Sequence, residues 1–467
     1  MLLLPGSILF PPRPNNAWLQ GKVPDEQGKC LIPINKARDF QDEAAAGAVI
    51  VQAMASRPYF QMKTSHIHAS DIRAVARLAT DATLGLTDLV ERVHAGIGRV
   101  PRVSSDTYPS RGISGHVYRT VRGVTRTVGM AADAVLAQCV PLFGARHSSP
   151  AREAMLAAVN GALGDYLKTT GNALAVPMQF RAQGKPVTPA TLPDAGRKLL
   201  VLVHGLCMND LQWRRDGHNH GAALAHDLGY TPLYLHYNSG LHISDNGRLL
   251  ADGLETLARQ WPVPVDELVI IGHSMGGLVA RSACHYGGQA GHAWPARLRK
   301  LVFLGTPHHG APLEKMGNWL ETVLSKTPYA APFARLGMLR SAGITDLRHG
   351  NVREEDWQGR DRFVRGGDRR TPLALPRGVA CYAIAGRLGG RLAGDGLVQV
   401  QSALGRHKDG RRDLAFTEAN QWIAEGVGHL DLLADAGVYE RIRHWLADTP
   451  APRQNALTTS SARATSR

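Results

Sequence analysis

The chain has 467 residues, 44% of them hydrophobic and 20% charged, with a formal net charge of +15. That length and balance fit a soluble globular protein with one large core plus a second region. The basic residues are scattered, and Arg214-Arg215, Arg369-Arg370 and Arg411-Arg412 are only isolated pairs, so no nucleic-acid partner is expected, while weak contact with an anionic membrane surface stays open.

The five cysteines, Cys30, Cys139, Cys207, Cys284 and Cys381, are odd in number and widely spaced, with no C-x-x-C. This argues against a disulfide framework and a zinc site and favours a reducing compartment. The start, Met1-Leu2-Leu3-Leu4-Pro5, lacks the basic flank of a signal peptide, and the run Ala44 to Ala55 is far short of the ~20 apolar residues of a membrane span. The expected location is cytoplasmic, with peripheral membrane contact as the alternative.

Up to about Tyr59 the chain reads as irregular. A helix then starts with Ser70 as N-cap, and Ile72, Val75, Leu78, Leu86, Val90, Val93 and Ile97 form its apolar stripe. A second helix spans about His116 to Val140, with Val117, Val121, Val124, Val128 and Val135 as its stripe. A third has Ser149 as N-cap and Pro150 at its first position and extends to about Lys168. The stripes predict a helical layer packed on whatever follows.

From about Arg197 strands and helices alternate, which implies βαβ units and a parallel sheet. Predicted strands are Leu199 to Val203, Thr231 to Tyr237, Glu267 to Gly272, Lys300 to Gly305, Val379 to Ala385 and Leu414 to Ala424. Predicted helices are Gly221 to Leu228, Ser244 to Gln260, Met275 to His285 (capped by Gly287-Gly288) and Gly437 to Ala447. The stretch from His308 to Gly378 is too long for an ordinary loop and reads as an inserted lid, apolar and helical first, then charged. The tail from Pro450 is Ser/Thr/Ala/Arg-rich and expected to be disordered. The organisation is thus a mainly helical region over 1–187, an α/β domain over 188–449 with the lid at about 308–378, and the tail over 450–467.

The run Leu268-Val269-Ile270-Ile271 leads straight into Gly272-His273-Ser274-Met275-Gly276-Gly277. A buried strand that turns sharply into a helix, with small residues around a strained serine, is a nucleophile elbow. Alone, the serine could be an ordinary helix N-cap. Its acid should follow the strand after the lid, where Gly394-Asp395-Gly396 stands; its base should follow the last strand, at Gly428-His429-Leu430. Glu425 and Asp431, which flank His429, are weaker candidates for the acid. The oxyanion hole needs two backbone N–H groups, one from Met275 after the nucleophile and one from Leu206 in the loop Val203-His204-Gly205-Leu206. His204, His273, Tyr237 and His308 are candidates for the pocket. The pairs His308-His309 and His218/His220 lack a carboxylate cluster at ligand spacing, so no metal is expected, and no cofactor. The loop Tyr237 to Ser244 either lines the pocket or merely carries Ser244 as the cap of the next helix.

The set V-H-G-L at 203–206, G-H-S-M-G-G at 272–277, L-G-T-P-H-H-G-A-P at 304–312, G-D-G-L-V at 394–398 and G-H-L at 428–430 resembles a serine-dependent α/β-hydrolase. Within that superfamily it is similar to lipases and esterases and to the GPI inositol-deacylase type of α/β domain. The resemblance covers roughly Arg197 to Ala447. It implies an α/β-hydrolase fold, mostly parallel with flanking helices, and ester hydrolysis by Ser274, Asp395 and His429. The expected partner is an ester substrate, lipids among the options. An acyltransferase with the same triad, or a non-catalytic binding protein on this fold, is the alternative.

Overall fold

A computed structural model describes residues 68–97, 113–139, 148–192, 194–312, 340–361, 367–389 and 394–448. The expected irregular N-terminus, the tail and the apolar helical half of the insertion lie outside the described residues.

Three helices come first: α1 (Ala69–Ile97), α2 (Ile113–Cys139) and α3 (Pro150–Thr169). Helix α1 begins at Ala69, two residues earlier than a Ser70 N-cap implies, and Asp71 accepts a hydrogen bond from the His68 N–H. Helix α3 starts as the sequence implies, with the Ser149 hydroxyl accepting from the Arg152 N–H. Helices α1 and α2 meet through ion pairs: Arg73 with Asp133, and Arg122 with Asp88 and Glu91. Their shared face is therefore polar, and the apolar stripes point away from it. Ile72, Val75, Leu86 and Val90 on α1 and Val117, Val121, Val124, Val128 and Val135 on α2 are exposed, which corrects the expectation that the stripes are covered; Leu78 of the α1 stripe is buried, in one cluster with Met155 and Leu156 of α3. The Val93 and Ile97 side chains lie outside the described set.

Helix α3 behaves differently. Small residues let other chain segments close around it, so Ala158, Asn160, Ala162 and Leu167 are all buried. Asn160 donates to the Leu156 and Leu174 carbonyls, Asn238 donates to Gly164 O, and the Ser341 hydroxyl donates to Gly161 O.

The sheet has eight strands in the order β2-β1-β4-β3-β5-β6-β7-β8. These are β1 (Gln179–Ala182), β2 (Lys185–Pro186), β3 (Lys198–Val203), β4 (Thr231–His236), β5 (Glu267–His273), β6 (Leu298–Leu304), β7 (Ala380–Arg387) and β8 (Gln421–Glu425). Strands β3 to β8 pair in parallel, while β1 is antiparallel to both β2 and β4. The sheet thus reaches back to Gln179, into the stretch that the sequence assigns to the helical region. Crossovers carry α4 (His220–Leu228), α5 (Ile243–Gln260) and α6 (Met275–Gln289); α7 (Ala342–Asp346), α8 (Val400–Ala403) and α9 (Ala436–Ala447) follow.

The continuous apolar strands are explained by helices on both faces. Leu199, Val201 and Val203 join the core under α5 and α6 with Leu250, Leu254 and Leu278. Their neighbours Leu200 and Leu202 face the other way, toward Leu224 of α4 and Ile442 and Trp445 of α9. Two boundaries within the sheet and its crossovers differ from expectation by more than two residues. The last strand starts at Gln421, not Leu414, because Ala415 takes a positive φ of 50° and breaks the extension. Helix α6 runs through Gly287-Gly288 to Gln289; Gly287 is needed inside the helix, where a Cβ would stand 2.8 Å from the Trp294 ring.

Strand β5 passes into α6 without a loop, and α6 lies directly on the end of β3. A Cβ at Gly276 would be 2.1 Å from Val203 O, and one at Gly272 would be 2.5 Å from the Gly277 Cα. A second constraint holds α3 to the sheet. Arg181 donates to Glu153 (2.9 Å) and Asp210 (3.2 Å), and His236 Nδ1 sits 3.0 Å from the same Asp210 oxygen, poorly aligned for a hydrogen bond. Burial raises the pKa of both carboxyls. Contacts from Ser148 and Arg181 to Glu153, and from His236 and Arg181 to Asp210, outweigh it and hold both below the ordinary range. Although Glu153, Asp210 and His236 could converge on a metal ion, the Arg181 guanidinium already supplies the positive charge there.

Two predictions follow from this packing. Gly276→Ala should destabilise the fold by about 3 kcal/mol or more, or prevent folding; urea unfolding measures it, and a loss under ~1 kcal/mol would contradict the close approach. Arg181→Met should cost about 3–5 kcal/mol, because two buried carboxylates lose their cation. Both carboxyls have depressed folded pKa values, so their contribution is full above an unfolded pKa of about 4 and is lost as pH falls through the folded values. The wild type should therefore show a steeper acid limb of stability than Arg181→Met; equal limbs would refute the assignment.

Candidate active site

Parallel register brings the ends of β3, β5, β6 and β7 level, with Val203 opposite Gly272, His273 opposite Leu304, and Leu304 opposite Ile384. The loops that leave these ends meet at one place. Ser274 occupies the first turn, at φ 54° and ψ −125°, a region that side chains avoid. The strain is held by two backbone bonds: Ser274 N–H to Leu304 O (2.8 Å) and Gly277 N–H to Ser274 O (3.1 Å). Its side chain makes no capping bond, so the helix N-cap alternative does not describe it.

Ser274 and His429 line the same narrow cavity, together with Leu206 and His273. His429 Nδ1 is 2.7 Å from Asp395 Oδ2. The second Asp395 oxygen accepts from the Leu397 and Val398 N–H groups (3.0 and 2.8 Å), and His429 N–H donates to Asp395 O. The carboxylate is thereby fixed on every side. Burial raises its pKa, but the His429 ring and the two N–H groups outweigh that and keep it below the usual range. Gly305 closes the space beneath: a Cβ there would be 3.0 Å from Asp395 Oδ2 and 3.2 Å from His429 Nδ1. The competing acids are elsewhere. Glu425 pairs with Arg387 at the surface, and Asp431 is 3.5 Å from Arg215 with an exposed side chain.

Met275 is the first residue of α6, so its N–H has no acceptor within the helix. The Leu206 N–H makes no hydrogen bond among the described residues. Both therefore remain available to an anion at Ser274, where the helix end also favours negative charge.

Of the four pocket candidates His273 lines the cavity, His204 and Tyr237 lie behind it without lining it, and His308 borders another cleft. His273 lines the cavity and donates from Nε2 to His429 O (3.0 Å); burial, then the nearby His429, pull its pKa to about 3 and keep it neutral. His204 is buried behind the oxyanion loop, stacked on Tyr237 at 4.3 Å, and its Nδ1 donates to Gly205 O. Burial lowers its pKa to about 3. Tyr237 donates its hydroxyl to His204 O and shapes that loop from behind. His308 is turned away, toward Arg281 in a different cleft, so its expected place in the pocket is corrected. The His218/His220 pair is also accounted for: His218 donates to His220 Nδ1 (2.8 Å), and His220 donates to Leu432 O (2.9 Å), bracing the His429 loop.

Sequence reading missed the cavity's apolar lining, Met208, Pro307, Leu347, Leu397, Val398 and Leu430. The signal for Pro307, Leu397 and Val398 was their place inside the quoted motifs; Leu347 had none, since it arrives from the insertion. The Tyr237 to Ser244 loop does not cap α5 through Ser244. Asp346 of α7 accepts from the Ile243 N–H and from His242 instead, and Ser244 accepts from Trp357 Nε1. A larger cavity of about 510 Å³ lies between His242, Trp357, Arg348 and Arg369, and none of Ser274, Asp395 and His429 lines it.

Residues 196–370 match the family described as the PGAP1-like alpha/beta domain. Comparison with curated proteins finds no match. Among solved structures, the chain is similar to the mature lipase BlEst2 of Bacillus licheniformis, with 18% identity and a TM-score of 0.37 over 58% of this chain and 98% of that one. It is similar to the lin2722 product of Listeria innocua, with 16% identity and a TM-score of 0.32 over 54% and 95%. It is also similar to the esterase Pf2001 of Pyrococcus furiosus, with 17% identity and a TM-score of 0.32 over 54% and 80%. With its parallel sheet, its strained strand-to-helix turn and this family match over residues 196–370, the chain has the α/β-hydrolase fold.

Proposed function

We propose that this protein hydrolyses carboxylic esters through an acyl-enzyme on Ser274. The observation that supports this best is a strained serine sharing one cavity with His429, whose other ring nitrogen faces a fixed, buried Asp395. As Ser274 Oγ attacks the ester carbonyl, His429 Nε2 takes its proton. The carbonyl oxygen becomes an anion held by the Leu206 and Met275 N–H groups. His429 returns the proton to the leaving alcohol, then takes one from water, whose oxygen attacks the acyl-enzyme; His429 gives that proton back to Ser274 Oγ as its bond to the acyl carbon breaks and the acid leaves. Asp395 stabilises the imidazolium that forms in each half. Because His273 stays neutral, no second cation opposes that imidazolium.

The lining of Met208, Leu347, Leu397, Val398 and Leu430 suits an apolar acyl or alcohol group, so the substrate class is an apolar ester, lipids included. Contact with a lipid surface is the second part of the reading. It is supported by the exposed valines that align on α2, opposite its ion-paired face. Among the described residues no helix is long and apolar enough to cross a membrane, so such contact would be peripheral.

Graded p-nitrophenyl esters test the chemistry. Ser274→Ala and Asp395→Asn should each lower turnover by about 10⁴-fold or more while the circular dichroism spectrum is unchanged. A Ser274→Ala protein that keeps a tenth of wild-type turnover would refute the nucleophile. A near-normal Asp395→Asn protein would refute the acid. Sedimentation with vesicles tests the surface contact: binding should survive moderate salt and be lost in Val121→Asp/Val128→Asp, and equal binding by both proteins would contradict it.

A further inference from the structure

A backbone N–H stabilises an anion only if the loop that carries it holds its direction. Leu206 lies between two peptide units, and each is pinned by a different side chain. The Gly205 carbonyl accepts from His204 Nδ1 (2.8 Å). A trans peptide points its N–H opposite to its carbonyl, so that bond turns the Leu206 N–H away from His204. The next unit carries the Cys207 N–H, which donates to Ser239 Oγ (3.1 Å). A Cβ on Gly205 would stand 3.0 Å from the Ser274 Cβ, so the loop runs directly beside the serine.

Cys207 does not hold this geometry by itself. It takes a φ of 57°, in the left-handed region that a side chain enters only at a cost. It is also buried, so an unpaired N–H there would cost about 1–3 kcal/mol. Burial pushes the pKa of its thiol up, so the side chain is a neutral packing group. Its hydrogen-bond partner, Ser239, is 1% exposed and belongs to the loop that follows β4.

That loop rests on α3. A Cβ at Gly240 would be 2.1 Å from Asn160 O, and Asn238 Nδ2 donates to Gly164 O (2.9 Å). The same helix backs Cys207, where a Cβ at Gly161 would be 2.1 Å from Sγ. Helix α7 closes on the loop as well, since a Cβ at Gly343 would be 2.2 Å from Ser239 O. Helix α3 ends before residue 196, where the family match begins, so this support comes from outside the matched domain.

We propose that Ser239 is a positioning residue for ester hydrolysis: its hydroxyl, seated by α3, fixes Cys207 and so aims the Leu206 N–H at the oxyanion formed on Ser274. This role rests on the ester-hydrolysis reading given above. Ser239 does not line the Ser274 cavity and reaches the reaction only through one backbone bond. It should therefore leave ground-state binding alone and change what is held as the carbonyl becomes tetrahedral.

The test is steady-state hydrolysis of p-nitrophenyl butyrate by Ser239→Ala, together with inhibition by an alkyl trifluoromethyl ketone, whose adduct with Ser274 carries the oxyanion. Outright removal of an anion donor costs about 10²–10³-fold in kcat, so a donor that is misaimed rather than removed should cost about 10-fold. We expect kcat lowered by about that factor, KM within about 2-fold of the wild type, and the ketone Ki raised in parallel with the loss of kcat. A folded Ser239→Ala protein with unchanged kcat would overturn the role. So would a loss of kcat with an unchanged Ki, which would make Ser239 a packing residue only. If Ser239→Ala does not fold, Ser239→Cys decides, because a thiol nearly keeps the size of the side chain but accepts hydrogen bonds weakly. Parallel changes in kcat and Ki are then expected, and wild-type values refute the proposal. A wild type that turns over no ester would refute the hydrolase reading and this role with it, whereas an active wild type matched by Ser239→Ala refutes the role alone.

Discussion

The site depends on how closely helix α6 can approach the end of strand β3. With Gly276 against Val203 O and Gly272 against the Gly277 Cα, the chain has no room to relax between strand and helix. Ser274 is forced to φ 54°, and its side chain is presented to the cavity rather than folded back as a cap. The same approach puts the first α6 N–H beside the Leu206 loop, so the strained serine and the proposed anion donors arise from one packing constraint. Backbone strain of this sort costs on the order of 1–3 kcal/mol and persists only where the surroundings over-determine it. Here the surroundings are the parallel strands β3, β5 and β6 in register.

Electrostatics then separate the histidines that crowd this end of the sheet. His204, His273 and His308 are fully buried and held neutral by desolvation. His429 alone among these four is paired with a carboxylate, Asp395, and it also reaches the cavity of Ser274. The neutral rings act as hydrogen-bonding struts: His273 fixes the His429 carbonyl, and His204 with Tyr237 braces the loop that carries Leu206.

Much of this was legible because parallel strands buried on both faces are continuously apolar, and because topology orders serine, acid and base along the chain. Where reading failed, a tertiary contact overrode a local signal. Gly287-Gly288 looks like a helix end, but the Trp294 ring requires Gly287 within the helix. The valine stripe of α2 looks like a buried face, but ion pairs took the opposite face for packing on α1. Strand β1 is short and only partly buried, and β2 is two exposed residues, with no apolar alternation to announce them. Helix α3 has no stripe because it is enclosed all round through its middle, from Met155 to Gly164. The orientation of His308 was not readable at all, since it depends on Arg281 and on residues about sixty and more positions downstream.

The central claim is that Ser274 is the nucleophile because the fold strains it and presents it to the cavity. The most direct measurement is reaction of the full chain with a fluorophosphonate probe, followed by peptide mass spectrometry to locate the adduct. The account predicts a single adduct, on Ser274, that is lost when the protein is unfolded before labelling. An adduct on another serine, or hydrolysis that continues with Ser274 unlabelled, would contradict it.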